Sequence, residues 1–220
     1  MTENSKSRRR QFPGTETPDE HEHLPPEPLP PEPTDEGAAP SPGAHAPIVI
    51  VPIGVVEDGL FEKLRPALED AFRRPSLMLK ALPHPKYAFN PTRGQYHSAA
   101  ILKRVETLRS TEWEAALGIV DADLFVPDVP FIFGEADRST RAAVVSVSRL
   151  RSETGSAEAR REALARRVIT ESIHQMGMIR GLAQCPNNRC VMFFSSTVQE
   201  TDKKGPVFCA NCRKRLLSEA

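Results

Sequence analysis

The stretch that decides the fold is residues 174–212, HQMGMIRGLAQCPNNRCVMFFSSTVQETDKKGPVFCANC, because it holds every cysteine of the chain. Cys185 and Cys190 form a CxxxxC pair, and Cys209 and Cys212 form a CxxC pair after eighteen intervening residues. Two turns that each present two sulfurs are typical of a structural zinc site made of four thiolates. Because four protein ligands complete a tetrahedron, the predicted ion has no open position for water or substrate.

Two disulfides, or four buried thiols, are the alternatives for the same cysteines. The first residues contain no apolar core of a secretory signal, so we expect no export to an oxidising compartment, and disulfides are rare in the cytosol. The chain also has no run of 18 apolar residues, the minimum for a transmembrane helix. The sequence therefore predicts a cytoplasmic protein with one structural zinc ion and no membrane partner.

The residues just before the first cysteine resemble the zinc-binding core of the archaemetzincins, a metzincin-type zinc peptidase family with the pattern HExxHxxGxxHC, four residues, CxM and a later CxxC. His174, Gly181, Met192 and all four cysteines match this pattern. The segments NPTRGQYHSAAIL, DADLFVP, FIFGEA and VVSVSRL are also similar, so the resemblance covers about residues 46–216. It implies a zincin-like mixed sheet, an active-site helix, a methionine turn at Met192 and a four-cysteine lobe at residues 185–212.

The sequence departs from this pattern where catalysis requires it. Gln175 stands at the position of the general-base glutamate, Met178 at that of the second histidine ligand and Gln184 at that of the third. Residues four apart on a helix share a face, so His174 and Met178 would present one imidazole and one thioether. A thioether suits copper(I) better than zinc, an amide oxygen is a weak donor, and glutamine cannot take a proton from water. We therefore predict no catalytic residue and no second, catalytic zinc.

Three functions are consistent with these residues. The first is a catalytically inactive archaemetzincin relative that keeps the structural zinc and binds an extended peptide or a protein partner in its cleft. The second is an active peptidase with unusual ligands that recruits Glu171, although a solvated position beside Arg167 is the simpler interpretation of Glu171. The third is a zinc-ribbon-like nucleic-acid binder, in which basic and aromatic residues around the cysteines bind a single strand.

Nucleic acid is not the expected partner, because the aromatic residues around the cysteines can pack the zinc lobe instead. The basic residues are Arg189, Lys203, Lys204, Arg213, Lys214 and Arg215, and the aromatic ones are Phe193, Phe194 and Phe208. The formal net charge of the chain is zero, with 29 basic and 29 acidic residues. A balanced charge does not itself indicate a nucleic-acid partner.

The rest of the chain divides into a tail and one domain. Residues 1–47 contain eleven of the 21 prolines and few aliphatic side chains, which predicts a disordered, partly polyproline II tail over residues 1–46. A docking segment for proline-binding domains and an uncommitted solubilising extension both fit this tail. Residues 47–216 are predicted to form one archaemetzincin-like domain, and the protein is predicted to be a monomer.

Hydrophobic patterning within the domain predicts alternating strands and helices. Strands are predicted at residues 47–56, 77–82, 117–120, 131–133 and 142–150, and helices at residues 58–73, 95–108 and 156–180. The continuous apolar run PIVIVPIGVV predicts a strand that is covered on both faces. This order of elements predicts a mixed α/β fold, with His174 and Met178 in the last two turns of the longest helix.

Overall fold

The computed structural model describes residues 46–108 and 110–218. The predicted proline-rich tail lies outside these residues, apart from Ala46. The elements in chain order are β1 (Ile48–Ile53), α1 (Asp58–Phe72), β2 (Ser76–Met78), β3 (Phe89–Asn90), β4 (Gln95–His97), α2 (Ser98–Glu106), β5 (Ala115–Val120), β6 (Leu124–Phe125), β7 (Gly134–Asp137), β8 (Ala142–Ser146), α3 (Ala157–Ile179), α4 (Val198–Lys204) and α5 (Ala210–Ser218). None of the helices in the described part of the chain is long and apolar enough to span a membrane.

Five strands form one twisted sheet in the order β2-β1-β5-β8-β7. The first four strands run parallel, whereas β7 pairs antiparallel with β8 and forms one edge of the sheet. A smaller sheet has the order β3-β4-β6. The combination of parallel strands, an antiparallel edge and packed helices confirms the predicted mixed α/β fold.

Helices cover both faces of the main sheet, which explains the continuous apolar run of the first strand. Ile48 and Ile50 of β1 pack with apolar side chains of α1 and α3. Val49 and Val51 point to the other face, where they pack with side chains of α2. Because successive side chains of a strand point to opposite faces, both sets must be apolar when both faces are covered.

The long helix α3 has the boundaries that its sequence predicts. The Ser156 side chain accepts a hydrogen bond from the Ala159 N–H at 3.2 Å and caps the first turn. At the other end, the Gly181 N–H donates to the Met178 carbonyl and the Leu182 N–H donates to the Gly177 carbonyl, both at 3.0 Å. This Schellman motif requires a left-handed residue, and Gly181 has φ of 81°.

Three predicted strand boundaries are wrong. The strand predicted over residues 77–82 is only Ser76–Met78, followed by a single bridge to β1. Residues 131–133 are not a strand: Ile132 makes a single antiparallel bridge to Leu124, and the edge strand begins at Gly134. The strand predicted over residues 142–150 ends at Ser146, whose hydroxyl accepts the Ser148 N–H and turns the chain.

Candidate functional site

The four cysteines converge on one point at the end of α3. Their Sγ atoms all lie within 4.8 Å of one another, and the Sγ atoms of Cys185 and Cys209 are 3.9 Å apart. A zinc ion with Zn–S bonds of about 2.3 Å needs sulfurs about 3.8 Å apart, so this arrangement fits a tetrahedral site. All four cysteines are free. The donor set is soft and anionic when ionised, which matches zinc, and the cluster is positioned to hold one ion.

Backbone hydrogen bonds hold the two cysteine pairs together. The Cys185 N–H donates to the Met192 carbonyl at 2.9 Å, and the Cys209 N–H donates to the Cys190 sulfur at 3.3 Å. A backbone hydrogen bond from the Cys212 N–H lowers the pKa of Cys209 to about 7. Burial raises the pKa of Cys190 and of Cys212. Thiolates packed this closely in a buried site need a cation to balance their charge.

A cavity of about 210 Å³ lies between α3 and the chain that leads into β7. Its lining combines aromatic and aliphatic side chains with a few polar groups. The lining residues are Val129, Pro130, Phe131, Ile132, Phe133, Gly134, Glu171, His174, Gln175, Phe194, Ser195 and Ser196. The cavity therefore contains the first predicted ligand position, His174, and the predicted general-base position, Gln175.

The His174 ring is fixed in one tautomer. Its Nδ1 atom lies 2.8 Å from the Val191 carbonyl, which can only accept a hydrogen bond, so Nδ1 carries the proton. The Nε2 lone pair is then free to face the cavity. Burial, and the positive charge of Lys204, lower the pKa of His174. The ring is therefore a neutral acceptor, the same form that a zinc-bound histidine adopts.

Of the other three motif positions, only Gln175 lines the cavity. Gln175 is buried and packs over Gly134, and its carboxamide has no hydrogen-bond partner among the described residues. Met178 packs half-buried against the main core, and Gln184 is exposed; neither side chain lines the cavity. Within residues 46–108 and 110–218, only the four cysteines form a group of three or more ligands close enough to share an ion.

Glu171 is a buried residue, so the prediction that it is solvated beside Arg167 is wrong. Its Oε1 atom accepts a hydrogen bond from the Thr201 hydroxyl at 2.8 Å and pairs with the Lys204 ammonium at 3.1 Å. The Lys204 side chain has no exposed surface and also donates to the Phe193 carbonyl at 3.1 Å. Burial lowers the pKa of Lys204, and the Glu171 carboxylate opposes that effect.

The comparisons with known proteins assign this architecture to a family. A family model described as Peptidase family M54 matches residues 65–218. The chain belongs to peptidase family M54. It is 40% identical over 131 residues to the archaemetzincin of Thermococcus kodakarensis, which covers 59% of this chain and 70% of that protein. It is 35% identical over 155 residues to the archaemetzincin of Archaeoglobus fulgidus, which covers 70% of this chain and 89% of that protein.

A solved archaemetzincin structure supports the same assignment. The crystal structure of the archaemetzincin from Methanopyrus kandleri matches with a TM-score of 0.70 and 29% sequence identity, over 80% of this chain and 96% of that chain. The archaemetzincin from Archaeoglobus fulgidus, solved with malonate, matches with a TM-score of 0.65 and 31% identity, over 76% of this chain and 98% of that chain. The family resemblance that the sequence motif predicts is confirmed.

Met192, the methionine-turn position of the M54 motif, packs directly against α3. A side-chain carbon built at Gly177 would lie 2.4 Å from the Met192 sulfur and 3.1 Å from its terminal carbon. Met192 has no exposed surface, so it cannot move into solvent to make room. Gly177 is therefore the residue that lets the methionine turn approach the helix that carries His174.

We expect Gly177→Ala to lower the free energy of unfolding by about 1–3 kcal/mol, because the added methyl group overfills a packed contact. Thermal and chemical denaturation of the zinc-bound protein measure this change. Gly59→Ala is the matched control, since a side-chain carbon at this helical glycine of α1 would contact nothing within 4 Å. It should be neutral or slightly stabilising, because alanine favours the helix. Equal effects of the two substitutions would contradict the proposed packing role of Gly177.

One wall of the cavity is held by polar side chains that no sequence motif indicates. Arg93 and Gln95 both donate to the Pro130 carbonyl, at 3.1 and 2.9 Å. Gln95 also donates to Asp123, whose carboxylate accepts two hydrogen bonds from Arg149. These residues lie in the segments that resemble archaemetzincins, but periodicity alone does not indicate that they meet. They fix the position of the loop that precedes β7.

Proposed function

We propose that this member of peptidase family M54 is a catalytically inactive zinc protein that binds extended peptides. One zinc ion in the cysteine cluster stabilises the fold, and the cavity beside α3 recognises the ligand without a metal. The observation that carries this proposal is the set of side chains at the four motif positions: one imidazole at His174, a carboxamide in place of the base at Gln175, and no imidazole at Met178 or Gln184. The M54 motif places three imidazoles and a carboxylate in the corresponding positions.

The chemistry of these side chains argues against peptide hydrolysis. A catalytic zinc needs three strong protein ligands, and the loss of two imidazoles removes most of the affinity. Glutamine cannot accept a proton from an attacking water, and the loss of a general base alone costs about a hundred- to ten-thousand-fold in rate. Glu171 is a poor substitute, because its carboxylate already binds Lys204 and Thr201.

The edge strand β7 supports peptide binding. In the described part of the chain it pairs only with β8, so its outer backbone groups can bind an added strand. An extended peptide that pairs with this edge gains main-chain hydrogen bonds, and neighbouring pockets select its side chains. The cavity lies at the start of β7, beside Gly134. This recognition requires no catalytic metal.

Counting metal ions tests the proposal. Native mass spectrometry of the purified protein should show one zinc per chain. The triple variant Gln175→Glu, Met178→His, Gln184→His should bind a second zinc, because it restores the ligands and the base of the M54 motif. The matched control carries Gln175→Glu, Met178→His and Gln199→His and leaves Gln184 unchanged. Because Gln199 is an exposed residue of α4, this control should still bind one zinc per chain. Two zinc ions and peptidase activity in the unmodified protein would contradict the proposal.

A further inference from the structure

Three side chains that line the cavity, those of His174, Gln175 and Ser195, carry a polar group with no protein partner among the described residues. His174 and Gln175 are 6% and 8% exposed, and neither the Nε2 atom of His174 nor the Gln175 carboxamide bonds another described residue. The Ser195 hydroxyl is also buried with no partner in the described part of the chain. Buried polar groups are almost always hydrogen-bonded in native proteins, so unpaired groups that face one cavity indicate a ligand or ordered water.

The hydrogen-bonding pattern of these groups restricts the ligand. In the neutral ring of His174 the Nδ1 proton is used by the Val191 carbonyl, so the Nε2 atom can only accept a hydrogen bond. The ligand must therefore donate an N–H or O–H group to His174. The Ser195 hydroxyl and the amide nitrogen of Gln175 can donate, so the ligand should also carry an acceptor.

The charges around the cavity favour a neutral ligand. Glu171 is the one acidic residue among the described lining residues, and Lys204 neutralises it at 3.1 Å. No lysine or arginine lines the cavity in the part of the chain that the structure describes, so an anion would find no counter-charge there. The rest of the wall is apolar and includes Phe131, Phe133 and Phe194. A charged ligand would lose its hydration without gaining a counter-charge, which is costly in such surroundings.

We propose that the cavity binds the neutral primary carboxamide of an asparagine or glutamine side chain, presented by an extended peptide that pairs with β7. Its N–H donates to His174 Nε2, and its carbonyl accepts from the Ser195 hydroxyl or the Gln175 amide. The phenylalanines contact the aliphatic part of the side chain. A volume of about 210 Å³ has room for such a side chain and for bridging water. This inference rests on the proposed function and names its ligand class.

Three small-molecule fragments that share a phenyl ring but differ in charge test the ligand class. Phenylacetamide, phenylacetate and 2-phenylethylamine are titrated into the zinc-bound protein while nitrogen NMR follows the His174 ring. Phenylacetamide should bind at least about tenfold more tightly than the two charged fragments, and it should shift the Nε2 resonance. Equal or tighter binding of phenylacetate, or no binding of any fragment at millimolar concentration, would overturn the inference.

A single substitution should change this selectivity. Gln175→Glu places a carboxylate in the cavity, so 2-phenylethylamine should become the preferred fragment. Gln199→Glu adds the same charge on the exposed face of α4 and should leave the ranking unchanged. If Gln175→Glu does not fold, the ranking in the unmodified protein decides alone. An unchanged ranking in folded Gln175→Glu would contradict the assigned role of Gln175.

A peptide pair and a metal count complete the test. Two otherwise identical peptides, one with glutamine and one with glutamate at a central position, should differ by about tenfold or more in affinity, with the glutamine peptide tighter. Native mass spectrometry of the same sample separates the two proposals. Two zinc ions per chain would overturn the proposed function, whereas one zinc with no preference for the amide would overturn only this inference.

Discussion

Replacing Cys209 and Cys212 by serine is expected to release the zinc ion and to lower the free energy of unfolding by at least about 5 kcal/mol. Structural zinc contributes about 10–16 kcal/mol of apparent binding free energy in small zinc peptides. The loss should be smaller here because the lobe also packs against the domain core. Phe208 contacts the Phe72 ring at a centroid distance of 5.8 Å, and Leu216 is buried in the same core.

The zinc content and the stability of the double variant test this prediction together. Native mass spectrometry should show the loss of one zinc per chain, and denaturant unfolding should show the lower stability. Asn211→Ala is the matched control, since Asn211 is an exposed residue between the two cysteines and should retain the ion. A double variant that loses zinc but unfolds like the unmodified protein would contradict a structural role of the metal.

The same substitution should also loosen the cavity, because one four-residue segment joins a zinc ligand to residues that contact α3 and Lys204. Cys190 is a predicted ligand, the Val191 carbonyl orients His174, Met192 packs on α3, and the Phe193 carbonyl accepts from Lys204. Without zinc, hydrogen exchange should increase at the Cys185 and Val191 amides, which bond to the Met192 and Val207 carbonyls. Faster exchange at these two amides would show that the metal preorganises the cavity at a distance.

Much of the fold could be predicted from local patterns. The buried positions of α1 recur at helical spacing from Leu60 to Phe72, and the apolar run of β1 indicates a strand covered on both faces. The edge strand β7 was missed because GEAD is short and contains no β-branched or large apolar side chain. Its position depends on pairing with β8, which is a tertiary interaction that propensity does not encode.

The candidate site could also be predicted only in part. The cysteines were predicted because their chemistry and spacing are sufficient to indicate zinc. The pairing of Glu171 with Lys204 was not predicted, because the two residues are 33 positions apart and an isolated charged residue is usually solvated. The sequence does contain an indication that Glu171 is buried: it lies three residues before His174, and residues three apart share one face of a helix. The buried face of α3 therefore includes both side chains.

Lys204→Met is expected to lower the free energy of unfolding by about 3–5 kcal/mol, because it leaves the buried Glu171 carboxylate without its counter-charge. The Glu171 carboxylate would keep only the hydrogen bond from Thr201, and the Phe193 carbonyl would lose its donor. Methionine preserves most of the volume of lysine, so the effect reports on charge more than on packing. Denaturant unfolding at neutral pH, with saturating zinc, measures the change.

A double variant separates the lost charge from the lost side chain. In Glu171→Gln, Lys204→Met, neither charge is buried, and most of the stability should return, because a neutral pair needs no counter-charge. Lys203→Met, at the neighbouring exposed position of α4, should have little effect. If the double variant were as unstable as Lys204→Met alone, Lys204 would stabilise the protein through its contact with Phe193 and not through Glu171. The buried pair would then carry no electrostatic role beside the cavity.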